Sequence, residues 1–119
     1  MSKTLVIGAS LKPERFSYKA INMLRKCNHE VFALGLKAGK VNEVEIFTDK
    51  KQLTDIHTIT IYLNPQRQKE LYDYIVSLKP QRIIFNPGTE NNELKKIATE
   101  NNIKVVENCT LIMLNTGSY

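Results

Sequence analysis

The sequence predicts an α/β fold, with a doubly wound, mainly parallel five-stranded sheet and helices on both faces. Short apolar runs rich in β-branched residues alternate with stretches whose apolar residues recur at helical spacing. The first run leads into a glycine turn and then a helix start, and the turns after later runs hold glycine, proline or asparagine. Apolar runs in this alternation are typical of parallel strands buried on both faces.

Residues 4–15 form the stretch on which the functional interpretation depends. Leu5 to Ile7 is a short apolar run with β-branched residues, which predicts a buried strand. Gly8 then permits a backbone conformation or a close approach that a side chain would block, and Ser10 can cap the helix that follows. Because a helix N-terminus presents unpaired N–H groups and a partial positive charge, we expect an anion such as a phosphate to bind here.

Three cations, Lys12, Arg15 and Lys19, surround this helix start, where the helix dipole disfavours them. Only Glu14 offsets them locally. A bound polyanion would resolve the conflict, and solvated side chains on an exposed loop are the alternative.

The next elements continue the alternation. Residues 17–27 are expected to form an amphipathic helix, and residues 30–35 a second buried strand, giving a β-α-β unit. The signal between residues 41 and 57 is weak. A short edge strand at 44–47 and a helical turn from Thr48 or Asp49 through Leu53 are the elements we expect there.

The second half of the chain resumes the pattern as strand, helix, strand, helix, strand and short helix. These elements are expected at 58–63, 66–78, 82–85, around Leu94 to Ala98, at 104–109 and at 111–114.

Length and composition indicate one domain over residues 1–119. Hydrophobic content of 42% and charged content of 24% are ordinary for a soluble protein, and no apolar run reaches the length of a membrane span. The two cysteines, Cys27 and Cys109, are far apart and have no metal-like spacing, which favours reduced thiols in a cytoplasmic protein.

The net charge of +5 admits an anionic partner. The basic residues are scattered, however, and the aromatic residues do not interleave with them as a stacking platform for bases requires. We therefore expect no nucleic acid partner.

Parallel sheets bind ligands at the carboxyl ends of their strands, beside the point where the strand order reverses. The segments that follow those ends are 8–15, 35–40, 64–65, 86–91 and 109–110. The three-glycine dinucleotide fingerprint is absent, and the second strand ends at Lys37 where NAD would require a carboxylate. Lys37 and Lys40 suit a ribose phosphate instead, with a solvated loop as the alternative.

The turn from Asn86 to Glu90 has its own carboxylates. Thr89 is expected to cap the next helix, and Glu90 and Glu93 complement its dipole, so they already fill the electrostatic role of an anion. We therefore place a ligand phosphate at the first helix and give Asn86 and Gly88 a shape or hydrogen-bonding role.

Cys109 is more typical of a small buried hydrophobe than of a nucleophile. Neither His29 nor His57 lies in a segment that ends beside it. No triad and no metal site is expected.

Together these residues resemble a known family. Gly8-Ala9-Ser10 with Pro13, Arg15, Ser17 and Tyr18, then Asn86 to Asn91, then Glu107 to Thr110 are similar to the small single-domain CoA-binding proteins. That family is similar in fold to the CoA-binding domain of the succinyl-CoA synthetase α subunit. The resemblance implies a Rossmann-like, nucleotide-binding domain that binds coenzyme A, and it implies no established catalytic residues.

We therefore expect non-catalytic binding of coenzyme A or an acyl-CoA, with the diphosphate at residues 8–17. The alternatives are a small subunit or enzyme of an acyl-CoA or NADP-dependent reaction, completed by a protein partner or a dimer, and a CoA-responsive regulatory protein. The predicted ligand-binding residues are Gly8, Ala9, Ser10, Pro13, Arg15, Ser17, Tyr18, Lys37, Lys40, Asn64, Pro65, Asn86, Gly88 and Cys109.

Overall fold

Seven strands form one sheet in a computed structural model that describes residues 2–119. Neighbouring strands are parallel, except for the antiparallel pair β3 and β4 at one edge. The order across the sheet is β3-β4-β2-β1-β5-β6-β7. The strands are β1 (Lys3–Ala9), β2 (Glu30–Gly35), β3 (Gly39–Val41), β4 (Val44–Phe47), β5 (Thr58–Ile61), β6 (Arg82–Phe85) and β7 (Lys104–Glu107).

Helices connect the strands and cover both faces of the sheet. They are α1 (Phe16–Lys26), α2 (Pro65–Gln68), α3 (Tyr72–Ser77), α4 (Asn92–Glu100) and α5 (Thr110–Thr116). Within residues 2–119, no helix is long and apolar enough to cross a membrane.

The alternation of side chains along β1 builds a core on each face. Leu5 and Ile7 point to one face, where they pack in a cluster with Ile75 of α3 and Leu94 of α4. Val6 points to the opposite face and packs in a second cluster with residues of α1 and α5. Because β1 is buried on both faces, its sequence is a continuous apolar run.

The α/β class, the parallel sheet and the two helical layers are as predicted, but the strand count is not. The prediction of five strands omitted β3 and treated β4 as uncertain. These two strands form a hairpin in which Val41 lies opposite Val44 across a two-residue turn. Asn42 adopts a φ of 58° in this turn, a conformation that asparagine tolerates better than most residues.

Two helix predictions are wrong in detail. The segment 48–53 forms no helical turn. The helix expected over 66–78 is divided by a 3₁₀ turn at Lys69–Leu71. Side chains three residues apart eclipse each other in a 3₁₀ turn, which lets Gln68 and Leu71 both enter the core.

Cys27 is also placed differently from the prediction. The predicted helix over residues 17–27 includes it, whereas α1 ends at Lys26 and Cys27 is an exposed C-cap residue. The buried residues of α1 are Ser17, Ala20, Ile21 and Leu24.

The sheet order fixes the position of the ligand-binding edge. After β1 the chain places β2, β3 and β4 on one side of β1, and it then returns to β5 on the other side. The strand order therefore reverses between β1 and β5. In open α/β sheets this reversal opens a crevice at the carboxyl ends of the strands.

Candidate functional site

Gly8 lies where the ends of β1 and β5 meet. Its φ is +89°, and a Cβ atom at this position would lie 3.0 Å from the carbonyl carbon of Tyr62 and 3.1 Å from the Leu63 nitrogen. The Tyr62 N–H donates a hydrogen bond to the Ile7 carbonyl at 2.8 Å, which holds the two strand ends together. Both the conformation and the space therefore require glycine.

A tight loop follows Gly8. Ala9 is buried, and the Ser10 Oγ accepts a hydrogen bond from the Lys12 N–H at 3.1 Å. Ser10 therefore stabilises this loop and does not cap α1, although the sequence suggested that it could. Pro13 is exposed in the same loop.

The start of α1 has backbone N–H groups that no side chain caps. Arg15 is the N-cap residue and makes no side-chain cap hydrogen bond, and the first turn contains no acidic residue. Ser17 is buried, while Tyr18 packs against the core cluster on the α1 face. The first N–H groups of a helix have no partner inside it, so this end can accept an anion.

Exposed cations surround the same edge. Lys12 and Arg15 lie beside the start of α1, and Lys37 follows β2, the neighbour of β1. Lys40 was expected in a loop but lies on β3, opposite Glu45. Within residues 2–119, none of these four cations belongs to an ion pair.

Asn64 and Pro65 form the helix entry at the end of β5. The Asn64 Oδ1 accepts a hydrogen bond from the Arg67 N–H at 3.0 Å, and Pro65 is the first residue of α2. Proline suits this position because its missing N–H would have no helical partner. The pair therefore sits beside Gly8 on the β5 side.

Asn86 is held in a buried polar network at the end of β6. Its Nδ2 donates to the Thr60 Oγ1 at 2.7 Å and to the Ile61 carbonyl at 2.8 Å. Its Oδ1 accepts from the Thr110 N–H at 2.9 Å. These bonds tie the end of β6 to β5 and to the start of α5, so the amide already has partners for both of its N–H groups.

The turn after β6 is closed by its own side chains. The Gly88 N–H donates to the Glu90 Oε1 at 2.9 Å. Thr89 was expected to cap α4, but Asn91 does so, because its Oδ1 accepts from the Leu94 N–H at 3.1 Å. The Thr89 hydroxyl instead donates to the Asn86 carbonyl at 2.7 Å.

Gln68 is a supporting residue that the sequence interpretation missed. It is fully buried, and its Nε2 donates to the Leu63 carbonyl at 2.9 Å and to the Thr89 carbonyl at 2.8 Å. Its Oε1 accepts from the Asn91 Nδ2 at 2.9 Å. Gln68 thus joins the turns after β5 and β6. Its position three residues before Leu71, on the same apolar stripe, is the signal that could have identified it.

Cys109 lies at the same edge as Gly88. β7 ends at Glu107, so Cys109 is not a strand residue as predicted but the half-buried N-cap of α5. Tyr62 lies nearby, and among residues 2–119 its buried hydroxyl has no hydrogen-bond partner. Burial raises the pKa of Tyr62 to about 12, with a smaller opposing effect from the Thr110 and Thr60 hydroxyls, which bond to each other at 2.7 Å.

The two histidines lie at the amino ends of the strands, here called the amino edge, opposite to the carboxyl ends where Gly8 lies. His29 precedes β2 and His57 precedes β5. The pKa of each is lowered, mainly because burial disfavours the charged form, and Arg82 adds to the effect. Because both histidines lie at the amino edge, neither imidazole can act on a group bound beside Gly8.

An open cavity of about 660 Å³ also lies at this amino edge, lined among others by Lys3, Arg25, Glu30 and His57. Its lining mixes cations with carboxylates, and it lies at the amino ends of β1, β2 and β5, whereas the crevice of open α/β sheets lies at the carboxyl ends. We place the candidate site at the carboxyl edge because Gly8, the uncapped α1 and the unpaired cations converge there.

Comparisons with known proteins support the fold and identify the family. A family model described as a CoA binding domain matches residues 2–115. No curated protein matches the chain. The crystal structure of an uncharacterised protein is 44% identical, with coverage of 100% of this chain and 98% of that one and a TM-score of 0.97.

Two archaeal structures share the fold at lower identity. A hypothetical protein from Pyrococcus horikoshii OT3 is 21% identical, with coverage of 98% of this chain and 82% of that one and a TM-score of 0.82. A dinucleotide-forming acetyl-coenzyme A synthetase 1 from Ca. Korarchaeum cryptofilum, in complex with phosphate and ADP, is 14% identical. That match covers 90% of this chain and 25% of that one, with a TM-score of 0.75.

Proposed function

The chain belongs to the CoA-binding domain family, and from this premise we propose that it binds coenzyme A or an acyl-CoA without catalysing a reaction on it. The observation that carries the proposal is the helix start beside Gly8, which has neither a side-chain cap nor an acidic residue in its first turn. A ligand diphosphate would satisfy the free N–H groups and neutralise Lys12 and Arg15.

We assign each part of the ligand to a part of the carboxyl edge. The diphosphate is assigned to residues 8–17, where the close approach of Gly8 to β5 leaves no side chain in the way. The 3′-phosphate is assigned to Lys37, with Lys40 further along the edge on β3. The pantetheine arm then runs in the other direction, over Asn64 and Pro65 and past Gly88 to Cys109. Coenzyme A supplies a thiol that can carry an acyl group.

The chemistry of the edge supports binding rather than catalysis. Nucleophilic catalysis needs a nucleophile, a base within reach and a group that orients the base. Cys109 is the thiol at this edge, and His29 and His57 lie at the other edge. Within residues 2–119, no cluster of three or more metal-ligating side chains occurs.

Native mass spectrometry and calorimetry test the proposal. The purified protein should carry, or take up, one coenzyme A per chain, and Lys12→Ala with Arg15→Ala should weaken the binding. Lys69→Ala, which removes an exposed cation between α2 and α3, is the control and should have no effect. Failure to bind coenzyme A would overturn the proposal. Turnover of a thioester that disappears in Cys109→Ala would overturn its non-catalytic part.

A further inference from the structure

Glu90 holds a negative charge at a fixed place on the carboxyl edge. Its Oε1 accepts the Gly88 N–H at 2.9 Å, and both residues are exposed. Within residues 2–119, Glu90 belongs to no ion pair, so its charge is not neutralised by a neighbouring cation. The charge therefore faces any group that approaches this turn.

Gly88 leaves open space beside that carboxylate. Its φ is +90°, and no atom lies within 4 Å of the position that a Cβ atom would occupy. Gly8 is different, because the backbone of β5 fills the corresponding space. The Gly88 turn thus has room for a ligand group, while the N–H that could bind it is already taken by Glu90.

A buried framework holds the turn in position on both sides of Glu90. On one side, the Thr89 hydroxyl donates to the Asn86 carbonyl at 2.7 Å, and the Thr89 carbonyl accepts from Gln68 at 2.8 Å. On the other, Asn91 donates to Gln68 at 2.9 Å. Moving the Glu90 backbone would break these bonds, so the framework keeps Glu90 at this place on the carboxyl edge.

The sheet order and the proposed position of the diphosphate together bring the reactive end of the ligand toward this turn. β6 is separated from β1 by one strand, on the side away from β2. Neighbouring strands are about 4.8 Å apart, so the turn lies roughly 10 Å from the end of β1. With the diphosphate at β1 and the ribose phosphate toward β2, the pantetheine thiol and any acyl group attached to it run toward Gly88 and Glu90.

Resting on the proposed function, we propose that Glu90 is a specificity-determining residue that excludes acyl-CoA thioesters whose acyl group ends in a carboxylate. A second carboxylate would meet the like charge of Glu90 and would find the Gly88 N–H occupied. Specificity of this kind comes from a repulsive element rather than from added attraction. The ligand is then free coenzyme A or a thioester with an uncharged acyl group.

Calorimetry with acetyl-CoA and malonyl-CoA tests this proposal, because the two thioesters differ by one carboxylate. The protein should bind malonyl-CoA at least about tenfold more weakly than acetyl-CoA at low salt. In Glu90→Gln, whose amide oxygen can still accept the Gly88 N–H, the two affinities should agree within about threefold. Glu93→Gln removes a charge from the same region, where Glu93 accepts the Tyr72 hydroxyl, and should keep the full difference.

The outcomes separate this inference from the function on which it rests. If coenzyme A and acetyl-CoA bind and malonyl-CoA binds equally well, the role of Glu90 is wrong and the proposed function stands. The same holds if the difference persists in Glu90→Gln. If no CoA compound binds, the proposed function is wrong and the inference falls with it. A thermal unfolding profile unchanged in Glu90→Gln checks that the turn is intact.

Discussion

Gly8 and Tyr62 are in such close contact that a single methyl group on Gly8 would lie 3.0 Å from the Tyr62 carbonyl carbon. The obstacle is backbone rather than the end of a flexible side chain, so it cannot rotate away. Any side chain at residue 8 would have to separate the ends of β1 and β5.

Gly8→Ala is therefore expected to destabilise the fold more than a matched glycine substitution. Gly117 also has a positive φ, +75°, but no atom lies within 4 Å of its missing Cβ. Alanine at either position meets backbone strain of about 1–2 kcal/mol. Gly8→Ala adds the clash with Tyr62, so urea unfolding should give it the larger loss. Equal losses would mean that strand separation costs nothing.

Coenzyme A is expected to bind at least about tenfold more tightly than dephospho-CoA, because a charge-assisted contact contributes about 1.5–3 kcal/mol. NAD should bind more weakly still. Calorimetry should show the difference shrinking in Lys37→Ala and at high salt, since an exposed contact is screened. Lys104→Ala removes an exposed cation from the start of β7 and serves as the control. Equal affinity for the two CoA compounds would make Lys37 a solvated loop residue, and a preference for NAD would contradict coenzyme A as the ligand.

Oxidised coenzyme A is expected to modify Cys109 in preference to Cys27. A cysteine thiolate attacks the disulfide, forms a mixed disulfide with one CoA and releases the other as a thiolate. Cys27 is the more exposed residue, so oxidised 2-mercaptoethanol should reverse the order. Peptide mapping distinguishes the two products. Modification by oxidised coenzyme A confined to Cys27 would show that the ligand thiol does not approach Cys109.

Stability is expected to fall as the pH drops below the ordinary histidine value of 6.5. His29 and His57 have lowered pKa values in the folded protein, so the unfolded chain binds more protons in the range just below 6.5. Protonation would also remove the hydrogen bond that the His29 Nδ1 accepts from the Ser2 N–H at 3.0 Å. Urea unfolding at pH 7.5 and pH 5.5 should show a smaller pH dependence when both residues are replaced by glutamine. An unchanged dependence would assign it to other groups.

Asn86→Ala is expected to cost at least about 2 kcal/mol, because the Thr110 N–H and the Ile61 carbonyl would lose their buried partner and each unsatisfied group costs about 1–3 kcal/mol. Asn92→Ala, at an exposed position at the start of α4, is the control. Urea unfolding measures both variants. A loss below about 1 kcal/mol would show that water replaces the amide.

The sequence predicted the elements whose signals are local. Val44 and Ile46 alternate with Glu45, so β4 could be recognised as a half-buried edge strand. β3 has three residues and one buried side chain, Val41, which is too short a pattern to detect. Its existence depends on pairing with β4, and pairing is not a property of the segment alone.

In the candidate site, too, some features follow from the local sequence and others depend on contacts between segments. The chemistry of the turn residues is local, so Gly8 and Pro65 could be placed at strand ends from the sequence. The contacts that hold the turns together join distant segments, as when Asn86 bonds to Thr110 or Gln68 bonds to the Thr89 carbonyl. Asn91 caps α4 in place of Thr89, whose hydroxyl donates instead to the buried carbonyl of Asn86, three residues before it.

The central place of β1 also bears on how the chain folds during synthesis. β1 leaves the ribosome first, and α1, β2 and the β3–β4 hairpin can pack on one side of it at once. The opposite side stays open until Thr58 on β5 pairs with Thr4, which closes a long loop and makes this a late, high-contact-order step. A chain cut before Thr58 would expose an apolar strand edge that pairs readily with other chains. A chain that extends through β5 covers this edge of β1 but leaves the buried strand β5 as the new edge until β6 pairs with it.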